Sequence, residues 1–425
     1  MLKIEIEPSK VEGEIIAPPS KSVTHRVFTL AALADGVSLI KDPLESDDTL
    51  ATIRVLKDLG VNFEGEGPNI KVTGGELSRA SSELDCGDSG TTMRFMCSIA
   101  SLVDGDTVLI GNPSLQARPL LPLLNALEQL GVKSTSNMGF PPVTIHGKGE
   151  LHGGEVDIKG DVSSQFISSL LLASPLACSP LKIRVTTRLE SKPYVQMTVD
   201  TMKSFGVKVQ STEDLRLLEP QHGRYMATDI QVEGDWSSAA YILAAGVLNG
   251  EVTVENINIE SSQADRAIMD ILSRMGVELR FISNGIKVRE SSLLPINFDL
   301  SNCPDLFPIV SALCTQAEGK SRLSGLSRLH IKESDRVKSM TDGLRKMGAQ
   351  VKADYDVVEI VGTKLRGATV NPCNDHRIAM SFAVLSLVAD GSTTIMDANC
   401  VSKSYPEFWA HISGLGAKTR RINHG

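Results

Sequence analysis

The sequence predicts an α/β protein of six repeated units, grouped as two domains of three. The main sign is a helix end, a glycine and a strand start that recur along the 425 residues. They read VLKDLGVNFE, ALEQLGVKST, TMKSFGVKVQ, ILSRMGVELR, GLRKMGAQVK and ISGLGAKTRR, with the glycine at 60, 131, 206, 276, 348 and 416 and spacings of 71, 75, 70, 72 and 68 residues. A glycine just past a helix accepts the left-handed conformation that satisfies the last carbonyls, and the chain then leaves as a strand. The second sign lies between the marks. SVTHRVFTLAALADG and TTMRFMCSIASLVDG carry apolar residues at helical spacing, at Val23, Val27, Leu30, Ala31 and Ala34 and at Met93, Met96, Cys97, Ala100 and Val103. Runs such as SLIKD, TVLIGN, LKIRVTT, EVTVENI and STTIMDA follow as strands. The pattern predicts about twelve helices.

A period near seventy is too long for the usual solenoid repeats and long enough for a subdomain. The irregular, charged stretch TEDLRLLEPQHGRYMATDI, residues 212 to 228, marks the expected break. With 41% hydrophobic and 22% charged residues the chain can fill real cores. A net charge of −8 and 4% aromatics argue against a general nucleic-acid binder or a stacking platform for single strands. Seven scattered cysteines without a C-x-x-C pair predict reduced thiols, and the eight histidines show no H-x-x-x-H spacing, so no metal is expected. The N-terminus alternates like a strand and no apolar run approaches the ~18 residues a bilayer demands. The expectation is a soluble, cytoplasmic protein with no membrane or nucleic-acid partner.

Cations sit where helix dipoles discourage them. Lys21 and Arg26 follow a Ser20 cap, Arg94 follows the Gly87/Gly90 loop, and Arg118 directly precedes Pro119, read as a first helical residue. His376 and Arg377 follow an Asn374/Asp375 cap, and Lys403 stands shortly before Pro406. Any one of these reads equally as a solvated surface charge. Their recurrence predicts one polyanionic ligand, bound where several positive helix ends converge. Ser163, Ser164 and Ser191 stand at further helix starts, as caps or as anion ligands. Glu333, bracketed by Lys332 and Arg336, is a candidate acid or base. Asp305, before an apolar helix, suits the dipole in any case. GxSxG and GxxxxGK[ST] are absent, so neither a serine nucleophile nor ATP is implied.

In order along the chain, PPSKSVTHR, DSGTTMR, ARPLLPLL, VSSQF, SKPY, EGDWSSAAY, PDLFP, KESDR, NDHRIAM and VSKSYPEF resemble the motifs of the EPSP synthase family of enolpyruvyl transferases. That resemblance implies a two-domain inside-out α/β barrel, each domain made of three βαβαββ repeats with buried helices. Residues 1–13 would join 227–425 in one lobe, 14–226 would form the other, and the active site would lie in the cleft between them. The implied reaction transfers the enolpyruvyl group of phosphoenolpyruvate to the 5-hydroxyl of shikimate 3-phosphate through a tetrahedral intermediate and releases phosphate, without a cofactor and in a monomer.

Carried over by motif, Lys21, Ser22, Arg26, Ser163, Ser164, Gln165, Ser191, Tyr194, Asp305 and Lys332 would meet shikimate 3-phosphate. Lys21, Gly90, Arg118, Gln165, Arg336, Arg377 and Lys403 would meet phosphoenolpyruvate. Asp305 would be the base on the attacking hydroxyl, Glu333 the proton carrier at the methylene carbon, and Lys21 a third catalytic group. The chain departs from the common family pattern at Asp88, Phe95, Arg328 and His330. Rival readings are the sister transferase acting on UDP-N-acetylglucosamine, a DNA clamp and a noncatalytic metabolite binder. The first usually carries a reactive cysteine where this chain has GNPSLQAR. The second needs basic helix flanks, whereas FISSLLLASPL and AAYILAAGVL are apolar all round.

Overall fold

The computed structural model describes residues 2–422. The chain divides into two compact units, one built from the segments that end at Pro18 and begin at Glu233, the other from Pro19–Val232. These divisions lie a few residues beyond 13 and 226, for a physical reason. Strand Val11–Ile16 is unbroken and pairs in parallel with Gly250–Glu255 from Val11 opposite Gly250 to Ile16 opposite Glu255. A division at 13 would split it. Likewise the stretch read as an irregular break contains strands Leu217–Pro220 and Tyr225–Met226, and Ile230–Gln231 pairs with strand Ala34–Lys41.

Each glycine mark is a helix stop. Gly60, Gly131, Gly206, Gly276, Gly348 and Gly416 all take positive φ, between 81° and 108°. They follow helices Asp47–Asp58, Leu121–Gln129, Lys192–Ser204, Ile268–Arg274, Arg336–Lys346 and Phe408–Gly414, and each is followed within a few residues by a strand. Six other helices alternate with these: Lys21–Leu33, Gly90–Ile99, Ser164–Ala173, Trp236–Asn249, Phe307–Thr315 and His376–Ser386. The short helix Pro113–Gln116 brings the α-helices among the described residues to thirteen.

Every unit has three sheets with one plan. In one of them Asp104–Ile110 pairs in parallel with Leu84–Asp85 and antiparallel with Phe140–Lys148, which pairs with Lys133–Asn137. Four of the others repeat this order of one parallel and two antiparallel pairings, and the sheet around Ala34–Lys41 adds a second parallel pairing, to Ile230–Gln231. In the last sheet the N-terminal strand Lys3–Glu7 fills the place that a local strand takes elsewhere, between Thr393–Ile395 and Lys418–Ile422. The first segment therefore belongs with the last third of the chain.

The second set of helices is buried on nearly all sides. Nine residues of Ser164–Ala173 and all of Phe307–Thr315 are buried. A helix without a polar face has to lie inside, at roughly 1.5–3 kcal/mol for each large apolar side chain removed from water. Their hydroxyls bond locally: Thr24 to the carbonyl of Ser20, Thr29 to His25, Ser381 to Arg377 and Ser386 to Phe382, while Ser98 and Ser169 pair at 2.6 Å. Small, self-satisfied side chains let these helices approach one another. The result is two mixed α/β units with helices within and sheets outside.

Candidate active site

In the Pro19–Val232 unit the three buried helices bring their N-termini to one end. Lys21, Gly90 and Ser164 are the first residues of these helices, and macrodipoles give each start partial positive charge. Cross-links between them fix the end. Arg94 donates to Gln165 Oε1, whose Nε2 donates to Thr91 Oγ1 at 2.7 Å. Thr52 joins Thr92 at 2.7 Å and the buried His25 at 2.8 Å. Lys21 Nζ bonds Asp48 Oδ2 at 2.8 Å.

Gly90 matters because it has no Cβ. A Cβ there would stand 2.6 Å from Arg118 Nη1 and 3.3 Å from Arg94 Nη1. Two guanidiniums and a helix N-terminus therefore meet at one backbone position, and Arg118 is buried. Gathering like charges at a positive helix end costs free energy, and a bound anion offsets that cost. Arg118 reaches this point from a different local structure than the sequence implied. The helix after it starts at Leu121, with Pro122 in its first turn, so Pro119 precedes it and Arg118 lies in the connecting loop.

Arg26 is buried and largely committed to the protein. Its Nε donates to Thr198 Oγ1 at 2.8 Å, Nη1 to the Ser22 carbonyl at 2.8 Å, and Nη2 to the Tyr194 carbonyl at 3.0 Å and Ser168 Oγ at 3.5 Å. Four of five N–H groups are thus spent. Burial lowers its pKa to about 10, and it still carries its charge at neutral pH. Phe95 lies 5.5 Å under this guanidinium. Arg26 is a brace for Ser22 and Tyr194. Ser163 Oγ accepts from Gln165 N at 3.3 Å, and Ser191, buried with φ 53°, begins the helix that carries Tyr194.

In the other unit the starts of Trp236–Asn249, Phe307–Thr315 and His376–Ser386 also share an end. Here acids and bases interlock. Arg336 Nη1 bonds Asp305 Oδ1 at 2.7 Å, and Arg377 Nη2 bonds Asp305 Oδ2 at 2.8 Å, so one carboxylate is held by two arginines, one to each oxygen. Arg336 also donates to Glu333 at 2.6 Å and to the fully buried Asp375 at 2.8 Å. Lys332 Nζ lies 3.6 Å from Asp305. The approach of the helices bearing Arg336 and Arg377 depends on Gly343, where a Cβ would fall 2.1 Å from the Phe382 ring.

The charges respond to this packing. Burial works to raise the Asp305 pKa, but Arg377, Lys332 and Arg336 outweigh it and hold the carboxyl well below its usual range. Burial lowers Lys332 to about 8, partly opposed by Asp305. Burial also opposes charge on Arg336, yet Asp375, Glu333 and Asp305 raise its pKa.

Lys403 is buried and donates to the Asn374 carbonyl at 3.0 Å. It ends a short 3-10 turn, Ala398–Lys403, rather than opening a helix, since the next helix begins at Phe408. Arg328 is buried with Nη2 on the Ser301 carbonyl at 2.7 Å, and its charge helps lower Lys332. Asp88 accepts from Ser114. Sequence reasoning passed over Asp48 and Asp375 as site members and named Arg94 only among the cations at helix starts. The NDHR motif disclosed Asp375 only as a cap, because its partner Arg336 is 39 residues away.

The family model for EPSP synthase (3-phosphoshikimate 1-carboxyvinyltransferase) matches residues 6–412. A 3-phosphoshikimate 1-carboxyvinyltransferase of Methanocorpusculum labreanum is 43% identical over 423 residues, covering 99% of this chain and 100% of that protein. One from Methanosarcina mazei is 40% identical over 430 residues and covers 99% of each. The solved EPSP synthase of Acinetobacter baumannii superposes with a TM-score of 0.84 at 28% identity over the whole of both chains. The enolpyruvyl transferase NikO of Streptomyces tendae, at 17% identity and a TM-score of 0.82, shares the fold. On a match that spans nearly its full length, the chain belongs to the EPSP synthase family.

Proposed function

We infer that the protein transfers the enolpyruvyl group of phosphoenolpyruvate to the 5-hydroxyl of shikimate 3-phosphate and releases phosphate. Asp305 held between Arg336 and Arg377 carries the chemical side of this inference. Two arginines that take one oxygen each of a buried carboxylate form a receptor for a carboxylate. A substrate carboxylate entering there competes with Asp305. Once released from two cations, Asp305 regains basicity and can accept the proton of the attacking hydroxyl. Substrate binding thus switches on the base.

The hydroxyl oxygen bonds to C2 of phosphoenolpyruvate while C3 gains a proton, giving a tetrahedral intermediate. Loss of a proton from C3 then expels phosphate and restores the double bond. Glu333, salt-bridged to Arg336, is the proton carrier at C3. Lys21, Gly90 and Arg118, with Arg94, take the phosphate of phosphoenolpyruvate, assisted by Lys403. Ser163, Ser164 and Ser191 receive the 3-phosphate. Gln165, locked between Arg94 and Thr91, stands between the ligands, and Lys332 and Tyr194 face the shikimate ring. Ser22 belongs to the same subsite, held by Arg26.

The protein acts as a cytoplasmic monomer without resident metal or cofactor. All seven cysteines are free thiols, and among the described residues no helix is long and apolar enough to cross a membrane. The test is phosphate release on mixing the protein with phosphoenolpyruvate and shikimate 3-phosphate, with UDP-N-acetylglucosamine offered separately as acceptor. Release with the nucleotide sugar alone would reverse the assignment.

A further inference from the structure

His330 lies outside the groups that the reaction uses, yet its ring makes two hydrogen bonds of one kind. Nδ1 lies 3.0 Å from Asp335 Oδ2, and Nε2 lies 2.8 Å from the Tyr355 carbonyl oxygen. Both partners accept. Asp335 is already an acceptor at its other oxygen, where it caps helix Arg336–Lys346 by taking the Lys338 N–H at 2.9 Å. A neutral imidazole has one N–H, so only the doubly protonated ring satisfies both bonds. The Tyr355 ring stacks on it, with centroids 4.7 Å apart and planes inclined by 10°.

The ring therefore bridges two elements. One is the turn of hairpin Gln350–Ala353 and Val357–Val361; the other is the start of the helix that carries Arg336. Between His330 and Asp335 run Ile331, Lys332, Glu333 and Ser334, and the near end is tied again by the Ser327 N–H to Asp356 Oδ1 at 2.8 Å. The titratable groups facing His330 are Asp335 at the helix start and, in the hairpin turn, Asp356 and the stacked Tyr355.

We propose that His330 is a positioning residue whose imidazolium braces the 331–334 segment, so that losing its proton loosens the hold on Lys332 and Glu333. Partial burial disfavours the charged ring, but the Asp335 bond, the Tyr355 carbonyl and the charges of Asp335 and Asp356 raise its pKa above the ordinary 6.5. The sign follows. The brace is complete below pH 6.5 and is lost as pH rises through the raised value. The proposal rests on the assigned roles of Lys332 and Glu333, while the brace itself is readable without substrate.

The experiment is hydrogen exchange of the 331–334 amides from pH 6 to 9 in the full chain, comparing wild type, His330→Ala and His330→Arg at each pH. Arginine keeps its charge throughout, offers several donors and can stack on Tyr355. Wild type should match His330→Arg at pH 6 and exchange about tenfold faster at pH 9, and His330→Ala should be fast throughout. Lys332, which burial lowers to about 8, is present in all three proteins. Equal exchange in the three at every pH, or ring nitrogen shifts showing a neutral His330 at pH 6, would overturn the brace. In turnover, kcat should fall earlier with rising pH in wild type than in His330→Arg. Coincident alkaline limbs would overturn the coupling to Glu333. A wild type without turnover would overturn the functional assignment and leave the exchange result to judge the brace.

Discussion

Asp305 has two tasks that pull against each other, and a single substitution separates them. As a base it needs a free oxygen; as the partner of Arg336 and Arg377 it has none to spare. Asp305→Asn should lower kcat by roughly 100- to 10,000-fold, the range for loss of a general base. It should also leave the KM for phosphoenolpyruvate unchanged or lower, because the competing carboxylate is gone. A KM that rises with kcat intact would refute the exchange of carboxylates. Glu333→Gln should reduce kcat over a similar range, and a fully active variant would strip Glu333 of its role as proton carrier. Arg118→Ala should weaken phosphoenolpyruvate binding by about 2 kcal/mol, some thirtyfold, as expected for a lost charge-assisted hydrogen bond. An unaltered KM would remove Arg118 from the phosphate site.

At the scale of elements, the site depends on helices brought close by missing side chains. Gly90→Ala would drive a methyl group into Arg118 Nη1 at 2.6 Å, so the KM for phosphoenolpyruvate should rise by about tenfold or more while the melting temperature changes little. A large loss of melting temperature with normal KM would mean that the glycine serves packing alone. The sequence disclosed much of this level. All six helix stops were legible because a glycine at positive φ is a local requirement. So was the burial of the second helix set, from its lack of a polar face. Helix starts were less legible. Arg118 stands next to one proline, but the helix uses Pro122, and Lys403 closes a turn where a proline nearby suggested an opening. The roles of Asp48 and Asp375 stayed hidden since each answers a cation 27 or 39 residues away. Nothing local in the sequence announced the four hydrogen bonds that Arg26 makes to the protein.

For the whole molecule, the repeats explain both the tangled chain path and the charge. Lys3–Glu7 closes a sheet with Thr393–Ile395, so the chain must leave one unit, build the other and return. Three buried helices per unit place three positive ends together, and a protein of net −8 thereby concentrates cations locally. Activity should report this in its pH dependence. Lys332, lowered by burial to about 8, keeps its charge below that value and loses it above, so kcat/KM for shikimate 3-phosphate should decline as pH passes about 8. Lys332→Arg should move that limb upward, and an unmoved limb would assign it to another group. The most direct test of the central claim remains phosphate release from phosphoenolpyruvate and shikimate 3-phosphate by the purified protein. The account predicts steady release with no added metal or nucleotide, abolished in Arg336→Ala. No release under conditions in which an established EPSP synthase turns over, or undiminished release from that variant, would contradict it.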